Sequence, residues 1–93
     1  MDLEFEWDEK KAALNKRKHG VTFEEAATVF GDPLAAIFAD EENSTDEERE
    51  IIVGHSDKNR LLLVSFTERG DRIRIISARR ASKQERINHE ENR

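Results

Sequence analysis

Three apolar runs in the second half of the chain, residues 50–55, 60–67 and 72–80, are separated by only four residues each. Connections that short return the chain antiparallel to itself, so the runs form a hairpin-linked meander. They are rich in Ile, Val, Leu and Phe, which suit a pleated and packed surface. The last run, RIRIISARR, is the most informative. A two-residue period sends Ile73, Ile75, Ser77 and Arg79 to one face, and Arg72, Arg74, Ile76, Ala78 and Arg80 to the other. Guanidinium groups on both faces suit a polyanionic partner as well as a core. The plain alternative is a set of arginines that snorkel to solvent from a sheet edge.

The elements before the meander are predominantly helical. Leu3, Phe5 and Trp7 alternate with acids, predicting a short strand with those three side chains inward. Asp8 is placed to cap a helix that runs to Lys18 or His19 and stops at Gly20. Ala12, Ala13 and Leu14 are its main packing residues. A second helix opens on a Thr22–Glu25 capping box, with Phe23, Ala26, Ala27 and Phe30 as its apolar stripe, and ends at Gly31-Asp32-Pro33. Residues 34–39 read as a strand, and the acidic stretch 40–48 as a mobile surface loop. After the meander, Ser82 and Glu85 form another capping box for a C-terminal helix whose only large apolar residue is Ile87. A helix this polar is not held by packing, so it either needs a partner or frays.

The expected fold is α+β: two N-terminal helices packed on an antiparallel sheet of about four to five strands, with a short C-terminal helix, in one domain over residues 1–93. The chain has no cysteine, which excludes disulfides and thiolate zinc sites and fits a reducing cytosol. It has no apolar run of membrane-spanning length and an acidic start unlike a secretory signal, so a cytoplasmic protein without membrane contact is expected.

The net charge of −5 argues against a nucleic-acid partner until its distribution is considered. Residues 10–20 hold five basic residues and no acid, and residues 68–86 hold seven basic residues against three acids. The compensating acids crowd into residues 40–50. A local basic patch can therefore coexist with an acidic total.

The glycines sit at turns and caps rather than in a phosphate-binding loop, and His19, His55 and His89 lack metal-ligand spacing, so neither a metal nor a cofactor is expected. What remains is Lys18 and His19 at a helix end, Arg69 at a hairpin, and Arg79 and Arg80 at a strand end. Such a set suits RNA cleavage by transesterification. A base takes the 2′-OH proton, an acid protonates the leaving 5′-oxygen, and cations stabilise the charge on phosphorus. Histidine is the natural proton carrier near neutrality, and arginine the natural phosphate clamp. Each residue also has an ordinary reading: helix capping for His19, a solvated helix face for Lys18, the capping box for Glu85. Arg79 stands out, because it shares the parity of Ile73 and Ile75, where an unpaired charge is costly.

Residues 5–33, FEWDEKKAALNKRKHGVTFEEAATVFGDP, followed by TERGDRIRIISARRASKQER at residues 67–86, resemble the BrnT family of bacterial toxin–antitoxin toxins. The resemblance implies a RelE-like fold and a metal-independent ribonuclease that halts translation. It also implies neutralisation by a BrnA-type antitoxin, whose ribbon-helix-helix domain binds operator DNA on behalf of the complex. A dimeric antitoxin would pair two toxins in a heterotetramer. The matching positions are Lys18, His19, Arg69, Arg79, Arg80 and Glu85. Of these, His19, Arg79, Glu85 and Lys18 form the expected catalytic set; Arg69 and Arg80, with Arg72 and Arg74, form the expected RNA-binding set. Family members often carry a tyrosine near the end of the last helix, where this chain has His89 and no tyrosine anywhere. The alternative function is a non-catalytic module whose basic face clamps an antitoxin or DNA, as an inactive toxin relative would.

Overall fold

A computed structural model describes residues 3–41 and 48–91. The order of elements is β1 (Glu4–Glu6), α1 (Glu9–His19), α2 (Phe23–Thr28), a 3-10 turn (Val29–Gly31), β2 (Ala36–Ala39), β3 (Glu50–His55), β4 (Leu61–Arg69), β5 (Arg72–Arg80) and α3 (Lys83–Glu91). Positions 42–47, most of the expected acidic loop, lie outside the described residues, as do the last two residues of the expected C-terminal helix. No described helix is long and apolar enough to cross a membrane.

The architecture is α+β, with one five-stranded sheet in the order β1-β5-β4-β3-β2. The meander β3-β4-β5 is antiparallel, and β2 joins β3 antiparallel at the edge. The sheet as a whole is mixed rather than antiparallel, because β1 pairs with β5 in the parallel sense. The intervening chain separates these two strands, so no tight hairpin dictates their relative direction.

One face of the sheet meets α1 and α2. Val21, Phe23, Ala26 and Val29 pack there on Ile52, Leu62, Val64, Phe66, Ile73, Ile75 and Ala78. Burying each large apolar side chain of such a cluster contributes about 1.5–3 kcal/mol. Phe30 extends the cluster, touching Phe66 edge-on at 5.0 Å and Phe5 at 5.2 Å. Gly54 lies beneath this layer, where an added Cβ would come within 2.8 Å of the Ala35 Cβ. The 3-10 turn and the segment after it therefore rest directly on the β3 backbone.

The caps fall where the sequence puts them. The Asp8 carboxylate accepts from the backbone N–H of Lys10 and Lys11, and Gly20 closes α1 with φ of 70°. The packing face of α1 is only partly the expected one, since Ala12 packs against the core but its two neighbours do not. Leu14 is 51% exposed and Ala13 is exposed, whereas Asn15 is the buried residue of this helix. Leu3 is likewise exposed rather than inward, while Phe5 and Trp7 pack against the core. Thr22 accepts from the Glu25 N–H, but the Glu25 side chain does not complete the box. It turns inward, accepting from Ser56 Oγ at 2.7 Å and pairing with both Arg60 Nε and Nη2. That pair ties α2 to the β3–β4 hairpin and holds the Glu25 carboxyl below its ordinary range, chiefly through the Arg60 hydrogen bonds.

Candidate active site

A β-bulge decides which way the end of β5 faces. Ser65 is opposite Ser77, and the next residue of β4, Phe66, is opposite Ile75, so Ile76 is the extra residue. Ile73 and Ile75 lie on the core face, but beyond the bulge it is Ala78 that continues that face. The expected parity of Arg79 with Ile73 and Ile75 is thereby corrected. Arg79 falls on the opposite, open face, with Ser77 and Leu63, and Arg80 takes the side of Ala78 at the exposed strand end.

On that open face the strands place side chains in rows. Ala36, Val53, Leu63 and Arg79 are successive partners across four strands, and Phe38, Ile51, Ser65 and Ser77 form the adjacent row. The first row ends in a guanidinium and the second in two hydroxyls, so one side of the face is polar and the other apolar.

Asn15 brings a histidine to the polar side. β1 pairs with β5 only at residues 72–74, leaving the same edge of β5 open further on. There Asn15 takes the place of a strand. Its Nδ2 donates to Ala78 O and to Val21 O, each at 2.9 Å, and its Oδ1 accepts from the Ala78 N–H at 3.0 Å. His19 follows four residues later on the same helix face. Together with Ser65, Ser77 and Arg79 it lines a concavity of about 90 Å³ floored by Ile51 and Leu63. Lys18 is exposed and outside that lining.

The orientation of Arg79 is set from α3. Its Nη1 and Nη2 donate to the two carboxylate oxygens of Glu85, both at 2.8 Å, a bidentate fork. Glu85 Oε1 also accepts from the Ser82 N–H, and Ser82 Oγ from the Glu85 N–H, so this capping box is complete. The Arg79 fork, with the Ser82 N–H behind it, pulls the Glu85 pKa down to about 2. The ordinary capping reading and the functional one thus apply to the same carboxylate.

The remaining arginines of the expected set lie elsewhere. Arg72 and Arg74 begin β5, about 23 Å and about 17 Å from Arg79 at the usual strand rise. Arg74 Nη1 is 3.0 Å from the Glu6 carboxylate, and Arg72 Nε is 3.4 Å from that of Glu4. Arg69 is opposite Arg72 at the same hairpin. The structure therefore brings together His19, Arg79 and Glu85, and leaves Arg69, Arg72 and Arg74 at the far end of the sheet.

Three contributors are invisible to motif reading. Asn15 looks like an ordinary helix polar residue, and only its two-sided capping of Ala78 shows its part. Ser65 and Ser77 are isolated in sequence and meet only through the strand register. Among the described residues no cluster of three or more His, Asp or Glu side chains is arranged to hold a metal.

A family model described as "Ribonuclease toxin, BrnT, of type II toxin-antitoxin system" matches residues 7–85. Among solved structures, the crystal structure of the Brucella abortus ribonuclease toxin BrnT is similar, with a TM-score of 0.67 and 25% sequence identity. The match covers 88% of this chain and 100% of that one. No curated protein matches.

Proposed function

The chain belongs to the BrnT family of ribonuclease toxins from type II toxin–antitoxin systems, and from that premise we propose that it is an endoribonuclease whose active site is the His19–Arg79 concavity. The carrying observation is that the bulge in β5 and the Asn15 anchor of α1 converge a histidine, an arginine and two serines on one point. His19 takes the proton of the RNA 2′-OH. The 2′-oxygen then bonds to phosphorus as the bond from phosphorus to the 5′-oxygen breaks, leaving a 2′,3′-cyclic phosphate. The departing 5′-oxygen takes its proton from water. Arg79 stabilises the charge that builds on the phosphoryl oxygens, a role in which one well-placed donor is worth about 10²–10³ in rate.

Glu85 suits positioning better than proton transfer. A carboxylate held near 2 by a guanidinium is a weak base at neutral pH, but its fork fixes the plane of Arg79. Lys18 and Arg80 add long-range attraction for the RNA backbone. Arg69, Arg72 and Arg74 contact phosphates remote from the cut, if the strand lies along β5.

The finer reading follows the family. The fold is RelE-like, catalysis needs no metal, and cleavage in the cytoplasm stops translation. A BrnA-like ribbon-helix-helix antitoxin neutralises the toxin as a heterotetramer around an antitoxin dimer, and operator DNA is bound through the antitoxin alone.

Incubation of the purified protein with total RNA in excess chelator tests this. Cleavage to cyclic-phosphate ends, lost in Arg79→Ala, is the expected result; intact RNA, or equal cleavage by the variant, overturns it. One observation favours a second reading, a non-catalytic clamp: the Arg79 fork is already filled by a carboxylate. Intact RNA together with tight antitoxin binding would select that reading.

A further inference from the structure

Beside the proposed phosphate site the open face of the sheet carries a groove of about 340 Å³ that the cleavage chemistry does not use. Its apolar wall is Leu34, Phe38, Val53 and Leu63, and its rim is the α3 face bearing Glu85, Asn88 and His89. Phe38 is 56% exposed and Leu34 49% exposed, unusual values for large apolar side chains that share a concavity. The volume lies in the range of small-molecule sites.

Three features say what the groove accepts. It is continuous with the His19–Arg79 concavity, since Ile51 and Leu63 line both. The Arg79–Glu85 fork stands at the boundary, and His89 lies one helical turn further along α3, about 6 Å on. Finally, His89 Nε2 is buried without a hydrogen-bond partner among the described residues. The His89 ring is packed at 6.2 Å from that of His55, whose backbone N–H is held by the Asp32 carboxylate at 2.8 Å. A buried ring nitrogen without a partner is costly unless a ligand supplies one.

A flat, partly polar ring tethered one unit from a phosphate meets all three conditions. Resting on our ribonuclease reading, we propose that this groove is a nucleobase subsite. It takes the unpaired base of a nucleotide next to the scissile phosphate. Phe38 and Leu34 supply the apolar platform on which the base lies, as aromatic side chains do in single-strand RNA recognition. His89, which lines the groove, turns Nε2 out of its covered position to make one hydrogen bond to the ring edge, and, by accepting or donating, selects among bases. The groove is thus the part of the protein that gives cleavage a sequence preference, while Arg79 handles a phosphate that every RNA presents.

The test uses fluorescently labelled 2′-O-methyl oligoribonucleotides, which cannot undergo transesterification, with a single abasic position moved along the strand. At one position, base removal should weaken binding to the full chain about tenfold, and Phe38→Ala should erase the difference between intact and abasic strands. His89→Gln should change which base is preferred at that position, and should move the cleavage sites of the active enzyme in the same way. Equal binding of intact and abasic strands at every position overturns the subsite. So does a Phe38→Ala effect that is the same with and without the base. If RNA cleavage proceeds normally while either of those results is found, the subsite fails and the ribonuclease reading stands. If neither cleavage nor oligonucleotide binding is seen, both fail. Loss of antitoxin binding in Phe38→Ala with oligonucleotide binding unchanged would assign the groove to a protein partner instead.

Discussion

The two ends of β5 carry the same residue type under opposite conditions. At its start, Arg72 and Arg74 lie beside the acids of β1, a strand that occupies the edge of the sheet there. At its end, no strand among the described residues covers that edge; a helix side chain, Asn15, satisfies the backbone instead, and Arg79 faces a concavity with a histidine. An arginine matched by a neighbouring strand serves the sheet. An arginine whose partner sits on a separate polar helix can be redirected. The comparison teaches that the count of arginines on a strand says little about function until the neighbours of each are known.

The largest test of that contrast is a pair of substitutions. Arg79→Ala should lower RNA cleavage about 10²–10³-fold, whereas Arg74→Ala at the other end should change it less than about threefold. Equal losses, measured as initial rates on one labelled RNA, would erase the distinction between the ends.

Asn15→Ala comes next. It leaves the N–H and C=O of Ala78 and the carbonyl of Val21 without their partner inside the protein, at a cost of about 2–3 kcal/mol. For a chain of this length the melting temperature should fall by about 10–20 °C. His19 should lose its place as well, so cleavage should drop even well below the melting point. A melting temperature within a degree or two of the parent would remove Asn15 from the account.

The Arg79–Glu85 fork gives a pH signature. The folded-state pKa of Glu85 is depressed to about 2, below the ordinary value of about 4.3. Its contribution to holding α3 is therefore complete above the ordinary value and is lost as pH falls toward 2. Amide exchange in α3 should be steady from pH 7 to about 5 once corrected for intrinsic rates, then accelerate. Glu85→Gln should show the faster exchange already at pH 7. Carboxyl carbon shifts that titrate near 4.3 would contradict the fork. The smallest effect is expected at the other end of the strand, where Arg74→Ala should alter stability by about 0.5 kcal/mol or less, as partly exposed ion pairs do.

Much of the scaffold was legible in the residues. The spacing of the apolar runs specified the meander, Asp8 and Gly20 bounded α1, and Ser82 with Glu85 opened α3, because each signal is local. The candidate site was legible in its members, His19 and Arg79, and illegible in its geometry. Strict alternation put Arg79 on the core face because nothing in the run Ile75-Ile76-Ser77 announces an extra residue. Glu25 read as half of a capping box, since its partner Arg60 is thirty-five positions away. The parallel pairing of β1 depended on a contact between the two ends of the chain, for which alternation in three residues carries no direction. The ion pairs that occupy Arg72 and Arg74 follow from that same pairing and were hidden with it.

The bulge at Ile76 makes the site a matter of counting. Substituting Ile76 leaves the number of residues between Ile75 and Arg79 unchanged, and with it the side on which the guanidinium emerges. Deleting Ile76 would restore plain alternation and carry Arg79 to the face covered by the helices, while Ala78 turned outward. A chain with every proposed catalytic side chain still present would then have lost the site through its length alone.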